Sequence, residues 1–275
     1  MSFSQLICLY LISTVGALVS GLNTIILLKS VGTQTKFWDM VILQNVVYLF
    51  NYVPMKLGTL FRANYLKKHY GLSYTHFSVF FVYLALIMTL TAPIVGIIVL
   101  LFLYPLNSWD VQVLLAVFTF SFIVSFILLF VPVPLPKGEN KFSQMLKSFL
   151  AGRAEVIKNK KALLYNVLLM NVNFILSSAR LGVIYYSLGQ QVHPAGFLVL
   201  GAVGYFLMFV SITPGSIGIR ELVLAATSLV IGIPFKVSVP AVMIDRAIAI
   251  TYSFVIGGLC AIYLWHKSPQ DFRKN

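Results

Sequence analysis

Charge is scarce in this chain. Only 10% of its 275 residues are Asp, Glu, Lys or Arg, and 7 acids stand against 20 basic residues. A soluble fold of this length needs far more charge on its surface. With 59% hydrophobic content and a mean hydropathy of +0.92, the composition points to an all-α polytopic membrane protein. Nor is there room for a separate soluble domain, because the longest polar stretch runs only from Pro132 to Lys161. Cysteine is nearly absent. Cys8 and Cys260 both lie in apolar runs, which excludes a disulfide framework and leaves no metal-ligand spacing, so both read as small packing residues. His69, His76, His193 and His266 are scattered, carboxylates come singly, and no Gly-rich phosphate loop follows a strand. No catalytic constellation, cofactor or metal is therefore expected, and hydrolysis or group transfer by this chain alone is poorly supported.

The charge that is present is mostly positive, a net +13. In a soluble protein that balance suggests nucleic acid, but here its placement makes it a topology signal and no nucleic-acid partner is expected. Apolar runs cover Leu6 to Leu28, Phe37 to Leu60, Phe77 to Tyr104, Val111 to Val131, Ala162 to Leu188, Ala195 to Ile233 and Val237 to Trp265. Of the 20 Lys and Arg, 15 fall in segments 29 to 36, 62 to 68, 137 to 161 and 267 to 274, whereas the turns Pro105 to Asp110 and Gly189 to Pro194 carry none. By the positive-inside rule the basic segments are cytoplasmic and the bare turns external, with a cytoplasmic C-terminus. The first run has no basic residue before it and Lys29 and Lys36 after it, so it reads as an uncleaved anchor with an external N-terminus. From Lys141 to Lys161, Phe142, Met145, Leu146, Phe149, Leu150 and Ile157 recur at helical spacing among basic residues. This predicts an amphipathic connector helix on the cytoplasmic interface.

One segment violates the apolar pattern. Residues 214 to 221, Pro-Gly-Ser-Ile-Gly-Ile-Arg-Glu, put helix breakers and a charged pair inside a stretch that is otherwise apolar from Val192 to Leu264. A charge near the bilayer centre costs roughly 2.5 to 3.5 kcal/mol on insertion scales, and a broken helix leaves backbone groups that lipid cannot satisfy. Such a segment is retained only where protein or a watery cavity surrounds it.

It has a partner. Pro54-Met-Lys-Leu-Gly58 and Pro214-Gly-Ser-Ile-Gly218 share a Pro-x-x-aliphatic-Gly pattern 160 positions apart. Near that offset Ser13, Ala17 and Ser20 fall against Asn173, Ser177 and Arg180, and Gly71-Leu-Ser matches Gly232-Ile-Pro. Three matches in the same order imply an inverted repeat in a single integral membrane domain. Residues 1 to 131 hold the first repeat and a joining helix, 132 to 161 the amphipathic linker, and 162 to 275 the second repeat. Each repeat has a Pro/Gly-broken re-entrant hairpin, at about 37 to 66 and about 195 to 233. Paired interrupted segments point to a transport-type site at the repeat interface. The alternative is that both prolines merely kink ordinary spanning helices, for which the run from 37 to 60 is long enough.

A small intramembrane charge set remains: Lys56, Arg180, Arg220, Glu221, Asp245 and Arg246. Glu221 with Arg246, or Asp245 with Arg220, can form a buried structural pair, and a direct ligand role stands beside that reading. Pairing both acids leaves two positive charges over, of which Arg180 can snorkel to the external interface. After Pro214 and Gly215, Ser216 suits the N-cap of a helix running to about Ile231, whose free N–H groups would favour an anion beside Arg220 and Arg246. Gly215 and Gly218 would let a head group approach the backbone. The first-half counterpart is Pro54, Lys56, Gly58 and Arg62. Asn166, Asn173, Ser177 and Arg180 share one helical stripe that should face the interior, and Gly201-Ala-Val-Gly204 reads as a small-residue helix contact.

The segment from Pro214 to Glu221, followed by a helix containing Asp245-Arg246, resembles the signature of the lysylphosphatidylglycerol synthase transmembrane-region family, also called flippase-like. Val53 to Arg62 resembles that family's earlier Pro-Gly-x-aliphatic-Gly-Glu-x-x-Arg element, with Met55 and Thr59 in place of the usual Gly and Glu. The resemblance implies an inner-membrane protein of bacterial or archaeal type and a lipid-flipping role. The best-known members join this region to a soluble domain that aminoacylates phosphatidylglycerol. This chain ends at Asn275, just past the last run, so synthase activity is not expected. The leading expectation is translocation of an anionic membrane lipid, a phospholipid or a polyprenyl-phosphate-linked glycan. A membrane-embedded transferase or lipid-presenting partner of a separate transferase is the first rival. A structural assembly subunit is the second, and a homo-oligomer is compatible with each.

Overall fold

Every element of the computed structural model, which describes residues 1–30, 32–53, 57–131, 159–207 and 218–266, is a helix. Five are long and apolar enough to cross a membrane: α1 (Phe3–Ser30), α4 (Tyr74–Leu103), α5 (Trp109–Phe130), α6 (Lys160–Ser187) and α9 (Phe235–His266). Each coincides with an apolar run of the sequence. The other two runs are broken, each into two short helices: α2 (Phe37–Phe50) with α3 (Leu57–Tyr70), and α7 (Gly196–Leu207) with α8 (Ile219–Val230). The amphipathic connector expected from 141 to 161 lies outside the described residues except at its end. There Asn159 accepts a hydrogen bond from the Ala162 N–H, so α6 begins at Lys160 rather than after Lys161.

The broken runs are hairpins, not kinked spans. The Tyr70 hydroxyl at the end of α3 donates to Asp39 Oδ2 near the start of α2 over 2.9 Å. A continuous helix would separate two residues 31 positions apart by about 46 Å. In the second half, a Cβ added to Gly196 at the start of α7 would lie 3.4 Å from Cβ of Ile231, just past the end of α8. Each hairpin ends on a left-handed glycine, Gly71 (φ 70°) and Gly232 (φ 83°), followed by a buried Leu72 or Ile233. A glycine in the left-handed region followed by an apolar contact is a common helix stop.

The helices pack as two largely matching sets, although the contact of α6 with α9 has no comparable counterpart between α1 and α4. Their lengths run 28, 14, 14 and 30 residues for α1 to α4, and 28, 12, 12 and 32 for α6 to α9. Contact of α1 with α2 is matched by α6 with α7, α2 with α3 by α7 with α8, and α3 with α4 by α8 with α9. Across the halves, α2 with α9 is matched by α7 with α4, and α1 with α9 by α6 with α4. The seam is α1 against α6. Asn173 donates to Ser20 Oγ and Arg180 to Ser13 Oγ, so the step from Ser13 up to Ser20 is the step from Arg180 down to Asn173 and the two helices run antiparallel. Helix α5 has no counterpart among the described residues. It lies against α4, with the Thr89 and Ser125 hydroxyls 2.7 Å apart, and turns most of its apolar side chains outward.

Close approach between arms depends on missing Cβ atoms. A Cβ on Gly201 of α7 would overlap Ser178 of α6, which accounts for the small residue there. Gly204 is different: nothing lies closer than 4.0 Å to its Cβ position, and it borders a cavity instead of a helix contact.

Candidate functional site

A cavity of about 830 Å³ opens between the halves, within the size range of small-molecule and head-group sites. Residues of both hairpins, the α1–α6 seam, α4 and α9 line it. Four of its lining residues are arginines. Arg62 comes from the first half, and Arg180, Arg220 and Arg246 come from the second.

The second-half charges form a linked set. Asp245, 1% exposed, sits between two guanidiniums: Arg180 Nε is 2.8 Å from Oδ1 and Arg220 Nη2 is 3.6 Å from Oδ2. Neither carboxylate oxygen accepts a hydrogen bond, so the triad is held by charge rather than by directional bonds. Removing one member of such a buried set leaves an uncompensated charge, which costs several kcal/mol. Arg246 Nε lies 3.7 Å from Glu221 Oε1, and its guanidinium also lies 5.1 Å from the ring centre of Tyr52, a residue of the first half. Both pairings expected from the sequence are formed. Arg180 does not snorkel away. It joins the main cluster as the nearest partner of Asp245, because α6 crosses α9 at that depth.

The start of α8 differs from the sequence expectation. Its N-cap is Gly218 (φ 91°), and the Gly218 N–H donates to Glu221 Oε2 over 2.7 Å. The expected cap, Ser216, lies outside the described residues together with Pro214 and Gly215. A carboxylate three residues into the helix thus occupies the first free donor that was expected to attract an anion. Glu221 has two structural duties, capping its own helix and pairing Arg246, and anion attraction falls to the arginines.

On the first-half side Pro54 and Lys56 lie outside the described residues. Gly58 does not offer backbone to the cavity. A Cβ there would overlap the Val47 carbonyl and the Asn51 side chain, so it serves the α2–α3 turn. Arg62 reaches across to α1 and donates to the Thr24 hydroxyl, and no acid lies within ion-pair distance of it among the described residues. Of the expected polar stripe on α6, Asn173, Ser177 and Arg180 line the cavity, whereas Asn166 is fully buried and donates to the Ala162 carbonyl. The sequence reading missed Tyr52 and the amides Asn23, Gln44 and Asn51, all on the cavity wall. The signal was available for Gln44 and Asn51. They lie seven positions apart in the first hairpin and are polar within an apolar run.

Comparison with known proteins gives one result. The model of a family described as the lysylphosphatidylglycerol synthase TM region matches residues 1–257. No curated protein and no solved structure matches the chain.

Proposed function

The chain belongs to the lysylphosphatidylglycerol synthase transmembrane-region family, a family of membrane proteins that act on lipids, and from that premise we propose that it translocates an anionic lipid across the cytoplasmic membrane. The observation that carries the proposal is that arginines of both halves line one cavity and outnumber its acids. Against Arg62, Arg180, Arg220 and Arg246 stand Asp245 and Glu221, so 4 − 2 leaves two positive charges over. Arginine's planar fork suits phosphate oxygens. Each guanidinium has five N–H donors, so Arg180 and Arg220 can meet phosphate with groups not turned to Asp245 while staying paired to it. The phosphate enters the cavity while the acyl chains stay in the bilayer.

The architecture supports a carrier reading. An antiparallel α1–α6 seam and matched packing pairs are what an inverted repeat produces, and such repeats let one set of helices rock against the other around a central site. In this reading each hairpin returns to the membrane face it left. The N-terminus is external, and the basic segments lie in the cytoplasm. The protein works on an anionic membrane lipid without a nucleotide site of its own.

The test is reconstitution into liposomes with a tail-labelled phosphatidylglycerol. The protein should speed its crossing, and Arg180→Gln with Arg220→Gln should slow that crossing at least about tenfold, the loss expected when charge-assisted phosphate contacts are removed. Equal rates with and without protein would sink the proposal.

A further inference from the structure

We infer that the head group taken by this cavity is a net anionic phosphate ester carrying a neutral polyol, and not one carrying a free ammonium. This rests on the translocation reading and narrows its substrate. An ammonium group in a field of four guanidiniums needs an uncommitted carboxylate, and among the described residues the cavity has none. Asp245 is held by Arg180 and Arg220, and Glu221 by Arg246 and the Gly218 N–H. A cationic head would therefore enter a space lined by four guanidiniums with no uncommitted acid among the described residues to receive it, and like charges in a confined low-dielectric site repel strongly.

The rest of the wall is neutral and rich in hydrogen-bonding groups. Asn23, Gln44, Tyr48 and Asn51 face the cavity from the first half, and Asn173 and Ser177 from the second. Ser20 Oγ stands between two of them, 3.3 Å from the Tyr48 hydroxyl and 3.2 Å from Asn173 Nδ2. Asn23, only 6% exposed, has a side-chain carbonyl with no hydrogen-bond partner. Amides and hydroxyls both donate and accept, as polyol hydroxyls do, so this wall complements a glycerol or a sugar. Phosphate binds at Arg180, Arg220 and Arg246, and the polyol lies along the amides between them and Arg62.

The experiment uses the full chain in liposomes with four tail-labelled lipids: phosphatidylglycerol, its lysyl ester, a polyprenyl phosphoglucose and phosphatidic acid. Phosphatidylglycerol or the phosphoglucose should cross at least about tenfold faster than the lysyl ester, and the faster of the two identifies the source of the polyol. Gln44→Leu should slow the polyol lipids about tenfold more than it slows phosphatidic acid, which has no hydroxylated head to lose contacts. Gln44→Glu supplies the missing acid and should bring the lysyl ester closer to phosphatidylglycerol. The inference is overturned if the wild-type protein moves the lysyl ester as fast as phosphatidylglycerol while crossing still depends on Arg180, or if Gln44→Leu affects all four lipids alike. If no lipid moves, the translocation reading itself fails.

Discussion

From the first half of the molecule Arg62 enters the cavity with no acid paired to it among the described residues, beside the amides Asn23, Gln44 and Asn51. From the second come Arg180, Arg220 and Arg246, with Asp245 and Glu221 set among them. The scaffolds that deliver these side chains are closely matched in helix length, hairpin shape, glycine stops and packing partners. Matched scaffolds therefore carry unmatched chemistry. Helix packing fixes the shape of both halves, whereas charge is concentrated where one half can neutralise part of it internally. Along α1 the cavity meets Arg180 at Ser13, Asn173 at Ser20 and Arg62 at Thr24, so its neutral groups lie between charged ends. A molecule that spans it touches both halves at once.

The comparison breaks most severely at Asp245, which has no acidic counterpart in the first half. Asp245→Ala leaves Arg180 and Arg220 facing each other without a counter-charge and should destabilise the protein by about 3–5 kcal/mol. Thermal unfolding in detergent measures this. Adding Arg180→Met to the same chain should recover part of the loss, and a double variant no better than the single one would mean that the triad is not the source.

Next in size is the close contact between hairpin and span. Gly201→Leu drives a side chain into Ser178 and Phe174 and should cost about 1–3 kcal/mol, the range for overpacking, while Gly204→Leu three residues on extends into open cavity and should cost much less. Gly204→Leu should instead slow lipid movement. Equal destabilisation by the two would mean that the cavity is closed in the working protein.

The glycine stops compare the halves directly. Gly71→Ala and Gly232→Ala each force a left-handed backbone on a residue with a Cβ, and each should cost about 1 kcal/mol. Similar shifts in unfolding temperature are expected if both hairpins close by the same device. A shift at one position alone would show that the matching turns are matched in shape only.

Much of this architecture was legible in the sequence, for reasons the same residues explain. An apolar run long enough to span must be helical in lipid, so the five long helices were fixed to within a few residues. Proline and glycine at 54, 58, 214 and 218 marked where helices could not continue. What the sequence could not show was partnership. Periodicity puts Asn173, Ser177 and Arg180 on one stripe, yet it does not say that Asp245, 65 positions later, stands opposite Arg180 rather than Arg220 alone. The cap was misplaced for a similar reason. Serine is the better intrinsic N-cap than glycine, but the Glu221 side chain folds back to the Gly218 N–H and sets the helix start there. Arm ends that meet, such as Tyr70 with Asp39, decide between hairpin and kink, and no local pattern encodes that meeting.

The smallest expected effect lies at the seam where the halves meet. Ser20 Oγ accepts from Asn173 and neighbours the Tyr48 hydroxyl, so one side chain links α1 to α6 and to α2. Hydrogen bonds between membrane helices contribute on average about 0.6 kcal/mol, because the separated helices find other partners. Ser20→Ala should therefore lower stability by about 0.5 to 1 kcal/mol and leave the arginine cluster unchanged. Its effect on movement has the more informative sign. If α1 and α6 shift against each other during lipid crossing, a bond made in only one arrangement holds that arrangement back, and removing it speeds crossing even as it lowers stability. If the seam is a fixed axis, crossing and stability fall together. Measuring both in the same liposomes separates a hinge from a staple, and so decides which contacts between the two halves move.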